Sequence, residues 1–456
     1  MFLNVKSNLP RIRRNIIEPL YGIKNHNTKR RCWQELEKTQ YLPESTLRDL
    51  QWFKCRALIR HAYANNEFYY RRFGEAGIVP DDIKDPEDMK YIPVLTKKEI
   101  RENTHEMISS GYRLDKLLKS KTGGSTGKAL DIYFTEECSE KHNACTRRHD
   151  RWTGWEVGEP IAAVWGNPKL PRTIKQKLKH HLLFPFIYLD TMNVTEETIL
   201  QFAHEWQTVH PTLLFGHAHS LYLLAGYVRD LGISSISPGG ILSTSMMLLP
   251  SERKTIEQVF GVEVFDRYGC EEVGLIGSEC NEHNGMHMNV EHLLIEFVKE
   301  NGNWASPGEP GKIIITDLLN YAMPFIRYQV EDVGMALGRK CSCGRGLPLM
   351  APVAGRIADF LKKKDGSQVA GVSLIENTLT GIAGIDQMQI IQESFGLIRL
   401  KVVFGGDGKK RTKAVLTKYF KELFGDDVVI SIKEVDSIKP DKSGKYRFSI
   451  CKISDA

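Results

Sequence analysis

The stretch Lys119-Ser-Lys-Thr-Gly-Gly-Ser-Thr-Gly-Lys128 places three glycines, four hydroxyl side chains and three lysines in ten residues. That composition handles phosphate. Glycines let backbone N–H groups turn toward a ligand without a Cβ in the way, hydroxyls add donors, and lysine brings a compact positive charge. The stretch is not a Walker P-loop. That motif has four residues between its glycines and Ser or Thr directly after the lysine, whereas Gly123 and Gly127 enclose three residues and Ala129 follows Lys128. The hydroxyl that would hold Mg²⁺ is missing where a P-loop carries it.

Four further stretches carry groups of the right chemistry. Asp266-Arg-Tyr-Gly-Cys-Glu-Glu-Val-Gly274 reads as a strand end running into a glycine turn with two carboxylates. Pro324-Phe-Ile-Arg-Tyr-Gln-Val-Glu-Asp-Val-Gly334, Gly355-Arg356 and Lys439-Pro-Asp-Lys-Ser-Gly-Lys-Tyr-Arg447 follow. Each is weak alone, but the ordered set is specific. In this order it resembles the adenylate-forming enzymes of the acyl-CoA synthetase superfamily, and among them the phenylacetate-CoA ligase branch with its CapK-type relatives. The resemblance spans nearly the whole chain.

It implies that a carboxylic acid attacks the α-phosphate of ATP, giving an acyl-adenylate and pyrophosphate, after which the thiol of coenzyme A displaces AMP. Two anions must meet, so positive charge and hydrogen-bond donors must face the charge that develops on phosphorus. By resemblance, Thr122, Gly123, Gly124, Ser125, Thr126, Gly127 and Lys128 hold the β- and γ-phosphates. Tyr268, beside Gly269, stacks on adenine, and Glu272 binds Mg²⁺, a hard cation suited to carboxylate oxygen. Asp332 accepts from the ribose hydroxyls and Arg356 sits beside ribose and phosphate. Lys445 bridges the carboxylate and the α-phosphate, on a small domain that rotates after the first half-reaction about a hinge near Asp359.

Plainer readings exist for each residue: Asp332 as a turn cap, Glu272 as a surface acid, Lys445 as one lysine among several. The ordered set outweighs them. Cys270, inside the acidic motif, has no general base to pair with and reads as a packing residue. One departure bears on the acid substrate. Relatives often carry a glutamate in a pattern like Thr-Ser-x-Glu, where this chain has Thr244-Ser-Met-Met247; the two methionines read either as an adaptable apolar wall or as plain core.

Cys280, His287 and the pair Cys341-Ser-Cys343 make three thiolates and an imidazole, a closed tetrahedral set suited to structural zinc. Spacing alone weighs this evenly against free cysteines, since Cys-x-Cys is less diagnostic than Cys-x-x-Cys. Resemblance to zinc-carrying relatives favours the metal. His283 is the competing histidine.

These groups need a large scaffold. At 456 residues, with 41% hydrophobic and 26% charged residues, the chain is long enough for two or three domains and ordinary for a soluble globular protein. Between residues 161 and 318, short apolar runs at Ile161 to Gly166, Thr212 to Gly216, Gly240 to Thr244, Val262 to Tyr268, His292 to Val298 and Lys312 to Leu318 alternate with helical segments at Ser220 to Arg229 and Ser251 to Phe260. That alternation predicts an α/β fold with buried sheets. A helix follows from the spacing of Leu47, Leu50, Phe53, Leu58, Ile59 and Ala62, with the aromatic knot Phe68-Tyr-Tyr70 behind it, and all of these are expected in the core. Beyond Gly355 the pattern predicts helix, strand, strand, helix (Lys409 to Phe424) and strand. The expected organisation is an N-terminal adenylation domain, 1–357, with sheets flanked by helices, and a small α+β domain, 358–456, carrying Lys445.

The formal charge of +6 suits anionic small molecules and is too small and dispersed to argue for nucleic acid. The N-terminus lacks the apolar core of a signal peptide and no segment approaches a membrane span, so a cytoplasmic location is expected. The nine cysteines read as thiols or metal ligands rather than a disulfide framework. Basic segments at 9–31 and at Arg172 to His181 read first as solvated helices, and second as contacts to an anionic membrane. A homodimer is compatible with the sequence. The leading expectation is an AMP-forming acid-CoA ligase using ATP, Mg²⁺ and coenzyme A. Its rivals are an adenylating enzyme that ends on an amine or hydroxyl in envelope polysaccharide assembly, and a non-catalytic nucleotide- or zinc-binding scaffold.

Overall fold

Runs such as Ile161–Trp165 and Gly240–Thr244 are buried on both faces, as strands covered on both sides should be, and the helical segments between them bring each strand back parallel to the last. The computed structural model describes residues 5–24, 27–122, 130–165, 173–183, 185–191, 194–353, 360–365, 368–405, 408–439 and 447–453. Strands β1 (Leu118–Thr122) and β2 (Leu130–Phe134) pair antiparallel, with Thr122 opposite Leu130, so the glycine-rich stretch is the connection of a hairpin.

There follow β3 (Ile161–Trp165), β4 (Phe186–Asp190), β5 (Leu213–His217), β6 (Gly240–Thr244), β7 (Val264–Cys270), β8 (Gly274–Glu279) and β9 (Met286–Met288), then β10 (Leu293–Val298), β11 (Gly311–Asp317), β12 (Tyr328–Gly334) and β13 (Leu349–Met350). An eight-stranded mixed sheet runs in the order β13-β9-β8-β7-β6-β5-β3-β4, and β10-β11-β12 form a separate antiparallel sheet. The crossover helices have readable ends. Thr195 caps Glu196–Val209 by accepting from the Thr198 N–H, and Pro250 starts Pro250–Phe260, which stops at Gly261 with φ +70°.

One core lies between the eight-stranded sheet and its crossover helices, gathering Val164, Ile199, Phe202, Trp206, Leu221 and Ile241. Another joins the helices Glu44–Asn65 and Glu67–Glu75 to the three-stranded sheet. Here the expected core needs correction. Leu47, Leu58, Ile59, Ala62, Phe68 and Tyr69 are buried, but Leu50, Phe53 and Tyr70 are exposed. The helix turns about 100° per residue, so Phe53 falls opposite Ala62, at the centre of the buried stripe, and Leu50 falls beyond the edge of that stripe next to Leu47.

Near the C-terminus, β14 (Phe360–Lys362) and β15 (Gln368–Ala370) form a hairpin before the helix Gly371–Gly381. Strands β16 (Gln387–Ser394), β17 (Leu397–Val403), β18 (Val429–Glu434) and β19 (Ser449–Cys451) form a sheet in the order β18-β17-β16-β19. The helix Lys409–Phe424 turns Leu416, Phe420 and Phe424 onto Ile398, Leu400 and Val402. Leu249, from the preceding unit, is buried in this same core, and Phe448 meets His219 with ring centroids 5.3 Å apart. Among the described residues, no helix is long and apolar enough to cross a membrane.

Candidate functional site

The acidic motif occupies the end of β7 and the turn into β8, where a register shift between Tyr268 and Gly269 breaks the regular ladder. The second motif runs along β12. Its burial alternates strictly, so Tyr328, Val330 and Asp332 share the inward face while Glu331 points out to Lys97 at 2.8 Å. Glu331 has φ +72°, which a non-glycine residue rarely adopts.

Two tyrosine–carboxylate bonds tie these motifs together. The Tyr268 hydroxyl donates to Asp332 Oδ2 at 2.6 Å, and the Tyr328 hydroxyl donates to Glu272 Oε1 at 2.9 Å. Each motif thus supplies one donor and one acceptor to the other. Asp332 and Glu272 are 8% and 7% exposed, so both carboxylates are largely withdrawn from water and their orientations are fixed by partners rather than solvent. Burial, reinforced by the Glu272 charge, holds the Tyr328 phenol well above its ordinary range, so it stays a donor. Tyr328 was not singled out from sequence, although its place four residues before Asp332 on one strand face was a usable signal.

A third motif reaches the same place through its flank. On β1, Ser120 Oγ donates to Glu271 Oε2 at 3.1 Å. The strand that leads into the glycine-rich connection therefore touches the acidic turn. Gly123, Gly124, Ser125, Thr126, Gly127 and Lys128 lie outside the described residues, as do the side chain of Thr122, Gly355, Arg356, Asp359 and Lys445. Of the predicted nucleotide-site residues, the structure brings together Tyr268, Gly269, Glu272 and Asp332.

Glu272 takes part in no ion pair among the described residues, which suits a carboxylate reserved for a cation. The Cys270 thiol is pushed well above its ordinary value by burial and by Glu272 beside it, so it is held as a thiol and not as a nucleophilic thiolate. Met246 and Met247 are half-buried beyond the end of β6.

Behind this region, Cys280, His287, Cys341 and Cys343 bring their ligand atoms within 4.8 Å of one another. Cys280 Sγ lies 3.7 Å from Cys341 Sγ, and Cys343 Sγ lies 3.3 Å from His287 Nε2. With a Zn–S length of about 2.3 Å the sulfur–sulfur edge of a tetrahedral site is about 3.8 Å, so the donor set fits zinc. His287 Nδ1 sits 3.0 Å from the Leu347 carbonyl oxygen, an arrangement that aims Nε2 at the thiols. His283 is elsewhere, 3.2 Å from Glu279 and 3.4 Å from Glu263.

The helix Glu136–Trp152 secures the back of the site. Arg148 is fully buried, 2.7 Å from Glu291 Oε1 and 2.7 Å from Asn289 Oδ1, and so binds this helix to the turn that enters β10. Spacing could not reveal this pair, because its members lie 143 residues apart.

Residues 361–452 match the CapK C-terminal domain family. The chain is 25% identical over 330 residues to a phenylacetate-coenzyme A ligase of Thermus thermophilus, an alignment covering 70% of this chain and 72% of that protein. It is 23% identical over 378 residues to protein CapK of Staphylococcus aureus, covering 80% of this chain and 81% of that one. The structure also resembles that of a 2-hydroxyisobutyryl-CoA ligase in its post-adenylation state with R3-HIB-AMP, with a TM-score of 0.73, 16% identity, and coverage of 91% and 92% of the two chains. At that identity the likeness is one of fold.

Proposed function

From the premise that this chain is an adenylate-forming protein of the phenylacetate-CoA ligase/CapK type, we propose that it is an AMP-forming acid-CoA ligase. It joins a small carboxylic acid to ATP as an acyl-adenylate, releases pyrophosphate, and passes the acyl group to coenzyme A. The observation that carries this reading is the Tyr268–Asp332 contact of 2.6 Å, which couples two motifs 64 residues apart.

The chemistry follows from the residues. Asp332, oriented by Tyr268, accepts hydrogen bonds from the ribose hydroxyls, and the Tyr268 ring offers a face for adenine. Glu272, oriented by Tyr328, holds Mg²⁺, which supplies charge neutralisation at the phosphates when bound. The stretch Thr122 to Lys128 cradles the β- and γ-phosphates with backbone N–H groups and the Lys128 ammonium. Arg356 would contact ribose and α-phosphate. Lys445 brings its charge between the carboxylate and the α-phosphate, where two like charges must approach, and so lowers the barrier in the transition state more than in the ground state.

The division of labour is between residues 1–357, which bind ATP and acid, and residues 358–456, which carry Lys445 and move between the half-reactions. Cys280, His287, Cys341 and Cys343 would hold zinc as a structural ion; with four protein ligands it would leave no open position for substrate and would pin the β8–β9 connection to the segment before β13. We read the chain as working in the cytoplasm.

Pyrophosphate release, measured across a panel of aryl, fatty and amino acids with and without coenzyme A, tests the reading. Acid-dependent release that coenzyme A accelerates is the expected result. Failure to release pyrophosphate with any acid of the panel overturns the enzymatic reading, and acid-dependent release indifferent to coenzyme A removes it as the acceptor.

A further inference from the structure

Two basic segments far apart in sequence adjoin in the fold. Residues 5–24 form one helical run: Val5–Ile12, a π-helical turn Arg13–Ile17, and Glu18–Lys24. One face of this run is docked. Arg13 donates to the Gly158 carbonyl at 3.1 Å, and a Cβ on Gly158 would lie 2.5 Å from the Pro10 carbonyl oxygen, so the approach depends on glycine. Another side is bare: Ile16, Leu20 and Ile23, at helical spacing, are 53%, 62% and 74% exposed. The helix Ile174–Leu183 packs against the π-helical turn, with Lys179 Nζ 5.0 Å from the Tyr21 ring centroid. On it Ile174 and Leu178 are 86% and 58% exposed.

Single exposed aliphatics need no explanation, but five on two adjoining helices form a patch of the kind that contacts something. The surrounding charge says what. Arg11, Lys175 and Lys179 are exposed, and residues 173–183 contain no acid. Glu18 is the one acid between residues 9 and 24, and it is held by Arg147 at 2.7 Å and Arg30 at 3.6 Å. Exposed aliphatics beside cations that form no ion pair among the described residues match the boundary between acyl chains and anionic headgroups. A two-fold homodimer through the same face would set cations against cations.

We propose that this paired-helix face seats the protein on an anionic lipid bilayer surface, the aliphatics entering the acyl–headgroup boundary and Arg11, Lys175 and Lys179 lying over lipid phosphates. The inference rests on surface chemistry and is independent of the adenylation reading.

The test is co-sedimentation of the full chain with phosphatidylcholine vesicles with and without added phosphatidylglycerol. The expected result is binding to the anionic vesicles alone, weakened by salt. Leu20→Glu and Leu178→Glu should each cut that binding at least tenfold. Lys175→Glu and Lys179→Glu should cost roughly fivefold or more apiece. All four positions are at the surface, so unchanged thermal melting curves verify that each variant is folded. Binding to neither vesicle, or equal binding to both, overturns the proposal. So does a dimer in light scattering that Leu178→Glu converts to monomer, since the patch would then be a protein interface.

Discussion

Tyr268 and Asp332 meet at 2.6 Å although one ends a strand of the eight-stranded sheet and the other lies on a strand of the separate three-stranded sheet. The bond crosses between two sheets, and so makes the position of Asp332 depend on both. Tyr268→Phe keeps the ring for adenine and deletes only the hydroxyl. A hydrogen bond to a charged group contributes about 1.5–3 kcal/mol, so KM for ATP should rise about tenfold or more while kcat stays near its original value. An unchanged KM for ATP would separate this pair from nucleotide binding.

Lys445 acts, on the proposed reading, only when carboxylate and α-phosphate approach. Lys445→Ala should abolish acid-dependent pyrophosphate release and leave ATP binding, followed by calorimetry, intact. Normal adenylate formation by this variant would remove the residue from the reaction.

The thiol–imidazole set should hold one zinc per chain by elemental analysis. Cys341→Ser should lose most of that metal and lower Tm, because metal binding to a folded site stabilises by mass action. Equal metal content in the variant and the unmodified protein would reject the site.

Arg148 is fully buried against Glu291, itself 5% exposed. Removing one partner leaves the other charge in an apolar interior, which costs about 3–5 kcal/mol. Arg148→Met should lower stability by that order in denaturant unfolding. The double variant Arg148→Met with Glu291→Gln should recover part of the loss. A cost below about 1 kcal/mol, the range of exposed pairs, would show that the pair is not buried as described.

Asp266 carries the clearest pH signature. Burial, with the Glu279 charge beside it, pushes its carboxyl up from 3.8 to about 7. Between these values the folded chain keeps a proton that the unfolded chain has released. Its contribution is therefore present at low pH and declines as pH rises through about 7, with a slope of at most about 1.4 kcal/mol per pH unit. Asp266→Asn, which cannot titrate, should flatten this part of the stability–pH curve. An identical slope in the two proteins would discount the shift.

Much of this was legible along the chain. The strand Gly240–Thr244 and the helix Lys409–Phe424 fall where their apolar patterns and flanking glycines put them, because local spacing and punctuation fix such elements. Other predicted strands differ at their ends by a residue or two, as at Val264–Cys270. Leu50, Phe53 and Tyr70 went the other way: their types argue for burial, yet which helix stripe is covered depends on what packs against it.

The sequence by itself determined the chemistry on offer: a glycine-rich phosphate stretch, an acidic turn, an aspartate on an alternating strand, three thiols with histidines to choose from, and two basic segments. It could do so because residue type and short-range order need no third dimension. Only the tertiary structure decided who meets whom. It paired Tyr268 with Asp332 and Tyr328 with Glu272, brought His287 rather than His283 to the thiols, buried Arg148 on Glu291, and laid the two basic helices side by side. Contacts between segments tens to hundreds of residues apart are set by how sheets and helices stack, and no period in the sequence encodes that.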